Sequence, residues 1–204
     1  MDAGPHGLDG DIIGATWIPG YIGGALEFDG TSANVEIEYE EMEAYDGMSV
    51  SMWVRPDQLR AGSWDTLFSH GSAGAYHGCC GDSYFLGYYL NGVSWYTGDA
   101  ADGMNLLWDN SDYTGHIGGW HHLAATWNTD TGERVVYVDG VATVNDMSAP
   151  AYPYYDAVPA RIGADTNSGS AVLFFDGGID EVKMFACPLS ADQVAEDFAV
   201  NWPF

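Results

Sequence analysis

Ser83–Asp99 reads SYFLGYYLNGVSWYTGD. Two runs rich in aromatic and β-branched residues flank Asn91-Gly92. An Asn-Gly pair between such runs is a strong hairpin signal, because the tight turn needs left-handed backbone at both central residues. Alternation then sends Tyr84, Leu86 and Tyr88 to one face, toward a core. The same grammar repeats outward from this hairpin. Val35-Glu36-Ile37-Glu38-Tyr39 alternates strictly, with the glutamates outward. MSVSMWVRP forms a strand stopped by Pro56. WHHLAATWN and RVVYVDGVATV pair as strands, with Asp139-Gly140 as a second turn.

The composition fits this reading. Among 204 residues there are 27 Gly, 8 Trp and 13 Tyr, a profile of short strands and tight turns. One helix is expected. Ser190 and Gln193 have capping-box spacing, and Val194 and Phe198 follow on one face. Many short strands and one helix predict an all-β chain built as a two-sheet antiparallel sandwich. The chain reads as a single domain over residues 1–204. MDAGPHGLDG resembles an entry into a domain already under way, which points to a module of a longer exported protein.

Thirty acids face five bases, for a formal net charge of −25. A polyanion repels nucleic acid and anionic lipid, so both are poor partners, and neither nucleic-acid binding nor membrane insertion is expected. The charge is consistent with cation binding, a saline habitat or high solubility. No apolar run approaches the ~18 residues of a membrane span.

Several phrases occur in a fixed order: GATWIPGYIGGALEFDG, SVSMWVRPD, GGWHHLAATWN, GERVVYVDGV, RIGA and GGIDEVKMFACPLSADQV. Together they resemble the laminin-G-like modules of the concanavalin A-like lectin/glucanase superfamily. That resemblance implies a jelly roll of two stacked sheets. It implies a calcium ion (Ca2+), with Asp2, Asp29, Gly30 and Asp180 at the matching positions. It also implies carbohydrate or protein binding, so the expected ligand is a glycan or polysaccharide, or else a protein, met in an extracellular or cell-surface setting. The family's first extended strand has no counterpart here. That absence predicts a sheet edge left open to association or filled by another segment.

The middle of the chain is dense in aromatics beside acids and amides. Flat rings stack on the C–H faces of sugars, and polar groups meet the hydroxyls. Trp64, Tyr76, Trp95, Trp108, Asp109 and Tyr154 are the candidate ligand-binding residues. Cys79 and Cys80 lie in the glycine-rich loop HGCCGD. They could form a strained vicinal disulfide on the ligand rim, pair with Cys187, or remain reduced. Adjacent Cα atoms sit only ~3.8 Å apart, closer than an ordinary disulfide allows.

Catalytic patterns are missing. There is no Gly-x-Ser-x-Gly, no His-Glu-x-x-His and no P-loop. The glucanase-type Glu-x-Asp-x-(x)-Glu strand is also missing. Glu36, Glu38 and Glu40 lie ~7 Å apart on one strand face, which reads as a solvated acidic surface. The sequence therefore points to a non-catalytic carbohydrate-binding module. A protein–protein or adhesion module is the second reading, and a glycan hydrolase or lyase the third.

Overall fold

The computed structural model describes residues 9–38, 47–70, 84–98, 105–148, 158–167 and 169–200. In chain order the strands are β1 (Gly10–Ile13), β2 (Thr16–Pro19), β3 (Gly24–Asp29), β4 (Asn34–Ile37), β5 (Gly47–Pro56), β6 (Trp64–His70), β7 (Tyr84–Tyr89) and β8 (Gly92–Thr97). They continue as β9 (Leu106–Asp109), β10 (His121–Asn128), β11 (Arg134–Val138), β12 (Val141–Asp146), β13 (Ala160–Ile162), β14 (Asp165–Asn167), β15 (Ser170–Val172) and β16 (Asp176–Phe185). One helix, α1 (Ala191–Ala199), follows the last strand.

Two seven-stranded antiparallel sheets face each other. The first runs β1-β4-β13-β6-β7-β8-β9 and the second β12-β11-β10-β5-β16-β3-β2. This is the expected all-β jelly-roll sandwich. Alternation explains the core. Val50, Met52 and Val54 of β5 and Leu123, Ala125 and Trp127 of β10 meet Leu86, Tyr88, Val93 and Trp95 of the first sheet. Each such large apolar side chain contributes ~1.5–3 kcal/mol by leaving water.

The β7–β8 hairpin forms one residue earlier than the Asn-Gly signal predicts. Tyr89 pairs with Gly92, so Leu90 and Asn91 are the central residues, at φ 48° and 66°. Gly92 lies within β8, where the ring of Trp108 leaves no room for a side chain. The Asp139-Gly140 turn forms where the sequence places it, at φ 49° and 77° between Val138 and Val141.

The sheet edge expected to lack a strand is occupied. Gly10–Ile13 pairs with β4, Ile12 opposite Val35. Glu36 is likewise no solvated carboxylate. It accepts a hydrogen bond from Arg161, which is 3% exposed and also bonds Asn34 and Thr166. β4 and β13 place Glu36 and Arg161 directly opposite.

Candidate functional site

The outer face of the first sheet carries an aromatic row. Trp64 of β6 lies opposite Tyr89 of β7, and Tyr89 lies opposite Gly92 of β8. The Trp64 and Tyr89 rings stack, with centroids 4.2 Å apart and planes at 18°. Trp108 of β9 reaches back over Gly92, so its ring stands 6.0 Å from that of Tyr89. Gly87 does the same for Phe85. A Cβ there would come within 2.8 Å of the Phe85 ring, which packs edge-on to Trp64 at 5.0 Å. Two glycines thus let large rings lie flat on backbone.

A second register row runs beside the first: Thr66, Gly87, Ser94 and Trp108. Thr66 Oγ1, Ser94 Oγ and Trp108 Nε1 are buried and have no hydrogen-bond partner among the described residues. Orphaned buried polar atoms are uncommon and call for a bound water. Thr66 and Ser94 are themselves 0% exposed, so these atoms lie beneath the row, and the half-buried rings of Trp64, Tyr89 and Trp108 are what a ligand could meet.

Trp64 and Trp108 lie on strands β6 and β9, half-buried on the outer face of the first sheet. Tyr89 joins them. Its signal was available, because alternation that turns Tyr88 inward turns Tyr89 outward. Trp95 requires correction. It is 0% exposed and packs in the core between the sheets, where no ligand reaches it. Asp109 also turns inward, opposite the core residue Val93. It accepts hydrogen bonds from the Tyr113 hydroxyl and the Ser111 N–H. Burial alone would raise its pKa, but these bonds outweigh burial and lower it. Tyr76, Cys79, Cys80 and Tyr154 lie outside the described residues. Cys187 is exposed with a free thiol.

Among the described residues matched to a calcium ion, Asp29 and Gly30 lie apart from Asp180. Asp29 lies opposite Asp176 on β16. Asp180 is four positions further along that strand, roughly 13 Å away at ~3.3 Å per residue. Two oxygens on one calcium lie within ~5 Å of each other. Each group also has protein partners. Asp29 accepts N–H bonds from Thr31, Ser32 and Ala33 at 2.8, 2.8 and 2.9 Å. The Gly30 carbonyl accepts from Arg60 Nη2 at 2.7 Å, which also reaches the Phe174 carbonyl at 2.7 Å. Asp180 accepts from Ile22 and Glu181 N–H, both at 2.9 Å. Burial dominates at Asp180 and raises its pKa. Asp2 lies outside the described residues.

A different cluster brings possible metal ligands together. His116, His121 and Asp139 place one ligand atom each within 4.8 Å of the others. The two imidazoles stack in parallel, 3.7 Å apart at 4°. An ion midway would lie about 1.9 Å out of each ring plane, whereas zinc sits ~2.0–2.1 Å from nitrogen along an in-plane lone pair. Both Asp139 oxygens are engaged as well, by His121 Nδ1 and by the His122 N–H, each at 2.9 Å. Burial first, and the His121 charge second, lower the His116 pKa to about 4. The cluster as folded is a packed imidazole pair oriented by Asp139.

Comparison with known proteins fits this architecture. The laminin-G-like family model described as the Concanavalin A-like lectin/glucanases superfamily matches residues 29–195. No curated protein matches the chain. Among solved structures, it is similar to the ligand binding domain of botulinum neurotoxin serotype D in complex with N-acetylneuraminic acid. There the TM-score is 0.70 at 14% identity, covering 94% of this chain and 46% of that one. The botulinum neurotoxin serotype G binding domain gives 0.69 at 15%, covering 95% and 47%. The heptameric SAP-like pentraxin from Limulus polyphemus gives 0.66 at 14%, covering 87% and 82%. The chain spans less than half the length of the two toxin-domain chains.

Proposed function

The chain belongs to the concanavalin A-like lectin/glucanases superfamily, and from that premise we propose that it is a non-catalytic carbohydrate-binding module of an exported protein. Trp64, Tyr89 and Trp108 present their faces to the C–H faces of sugar rings. The observation that carries the proposal is the half-buried aromatic row of Trp64, Tyr89 and Trp108. The printed ligand of the serotype D neighbour supports a glycan as the class of partner. The carboxylates nearest in sequence do not assemble a hydrolytic pair. Asp65 turns inward and bonds the Arg60 N–H at 2.9 Å, and Asp109 turns inward toward Tyr113.

The test is Trp64→Ala measured against a glycan array and then by calorimetry. Loss of one stacking ring should weaken the best glycan at least ~10-fold, about 1.4 kcal/mol. The melting temperature serves as the folding control. Unchanged glycan affinity in a folded Trp64→Ala protein removes this surface as the site.

A further inference from the structure

Charge decides which sugars such a surface can take. The chain has five lysines and arginines in all. Each one is bound to its own protein's carboxylates. Arg55 pairs with Glu27 at 2.7 Å and Asp57 at 3.5 Å. Arg60 pairs with Asp65 at 3.5 Å. Arg134 pairs with Asp146 at 2.6 Å and is 1% exposed. Arg161 pairs with Glu36, and Lys183 pairs with Asp197 at 2.7 Å. The segments outside the described residues contain neither lysine nor arginine.

We infer that the sugar held by the Trp64–Tyr89–Trp108 row is uncharged, and that sialylated, sulfated and uronic-acid glycans are excluded from it. This inference rests on the proposed function. An acidic sugar needs a cationic or strongly donating partner when it leaves water. To provide one here, the protein would have to break an internal ion pair and leave a carboxylate unpaired. The row itself offers uncharged aromatic faces, suited to the C–H faces of a neutral sugar. The formal charge of −25 adds repulsion to any approaching anion. The similar fold of the sialic-acid-bound toxin domain thus carries no shared preference to this chain.

The experiment compares neutral glycans with acidic counterparts: lactose against sialyllactose, and fully methyl-esterified polygalacturonate against polygalacturonate. Binding of the full chain and of Trp64→Ala is measured by calorimetry at mildly alkaline pH. A neutral member should bind at least ~10-fold tighter than its acidic partner, about 1.4 kcal/mol. Its affinity should change little with salt and should be lost in Trp64→Ala. An acidic glycan that binds as tightly, and is lost in Trp64→Ala, overturns the charge selection while leaving the site in place. A bound neutral glycan indifferent to Trp64→Ala overturns the site and this inference with it. Absence of binding to neutral and acidic panels alike overturns the carbohydrate reading itself.

Discussion

Asp29 shows how one carboxylate can stand in for a metal-bound corner. It closes the turn after β3 by accepting from three successive backbone N–H groups and from Ser32 Oγ at 2.9 Å. Those N–H bonds, more than burial, hold its carboxyl well below the usual range. Arg60 then bridges the Gly30 and Phe174 carbonyls. Asp29→Ala should therefore cost about 1 kcal/mol, the scale of a lost cap on an exposed carboxylate. The loss should be equal in EDTA and in calcium, read as the shift in melting temperature. A calcium-dependent difference between wild type and variant would restore a metal at this turn. Local chemistry of this kind was legible, since Asp-Gly after a strand announces a turn. Arg60's part was not, because its carbonyl partners lie 30 and 114 residues away in sequence. Trp95 is an instructive miss. Moving the hairpin turn by one residue at each end changes the pairing by two positions and leaves the face of β8 unchanged. Alternation thus placed Trp95 inside under either register, and its aromatic character outweighed that pattern in the sequence reading.

At the scale of elements, the C-terminal helix was the most legible feature, because its start is written locally. The capping box forms as read, with Ser190 N–H to Gln193 Oε1 at 2.9 Å and Gln193 N–H to Ser190 Oγ at 3.3 Å. Val194 is buried against Ala124 and Tyr137 on the outer face of the second sheet. What anchors the helix was not written locally. Asp197 accepts from Ser51 Oγ at 2.6 Å and Lys183 Nζ at 2.7 Å, and pairs with His122 Nε2 at 3.2 Å. These partners come from β5, β16 and β10, neighbours in the sheet but distant in the chain. Burial would raise the Asp197 pKa, yet the bonds from His122, Lys183 and Ser51 outweigh it and hold the carboxyl far below its usual range. Asp197→Ala leaves these groups unpaired and should cost ~2 kcal/mol, about 4–8 °C in melting temperature for a chain of this size. The sign with pH follows from a lowered folded-state pKa. The advantage of wild type over Asp197→Asn should be complete above the unfolded value of ~3.9 and shrink as pH falls below it. Equal melting temperatures at neutral pH would show that the helix is held by Val194 and Phe198 alone.

Over the whole molecule, the pairing of all five basic residues leaves a surface of one sign. Internal pairs such as Arg134–Asp146 and Arg161–Glu36 fix strand ends and loops. They cancel only five of thirty acidic groups, so the formal charge stays at −25. Self-repulsion favours the expanded chain, where the charges stand further apart. Salt acts on the two populations differently. Exposed carboxylates are screened as the Debye length falls from ~30 Å at 0.01 M to ~3 Å at 1 M. Arg134 and Arg161, at 1% and 3% exposure, are shielded from solvent and lose little. The balance predicts that the melting temperature rises by several degrees between these limits in sodium chloride at neutral pH. Chloride is the anion to use, since sulfate stabilises most proteins by exclusion from their surface. The rise should be steepest at low ionic strength and flatten once the Debye length drops below the spacing of surface carboxylates. A melting temperature that falls with added salt would mean that the ion pairs, not the uncompensated acids, set the electrostatic balance of the fold.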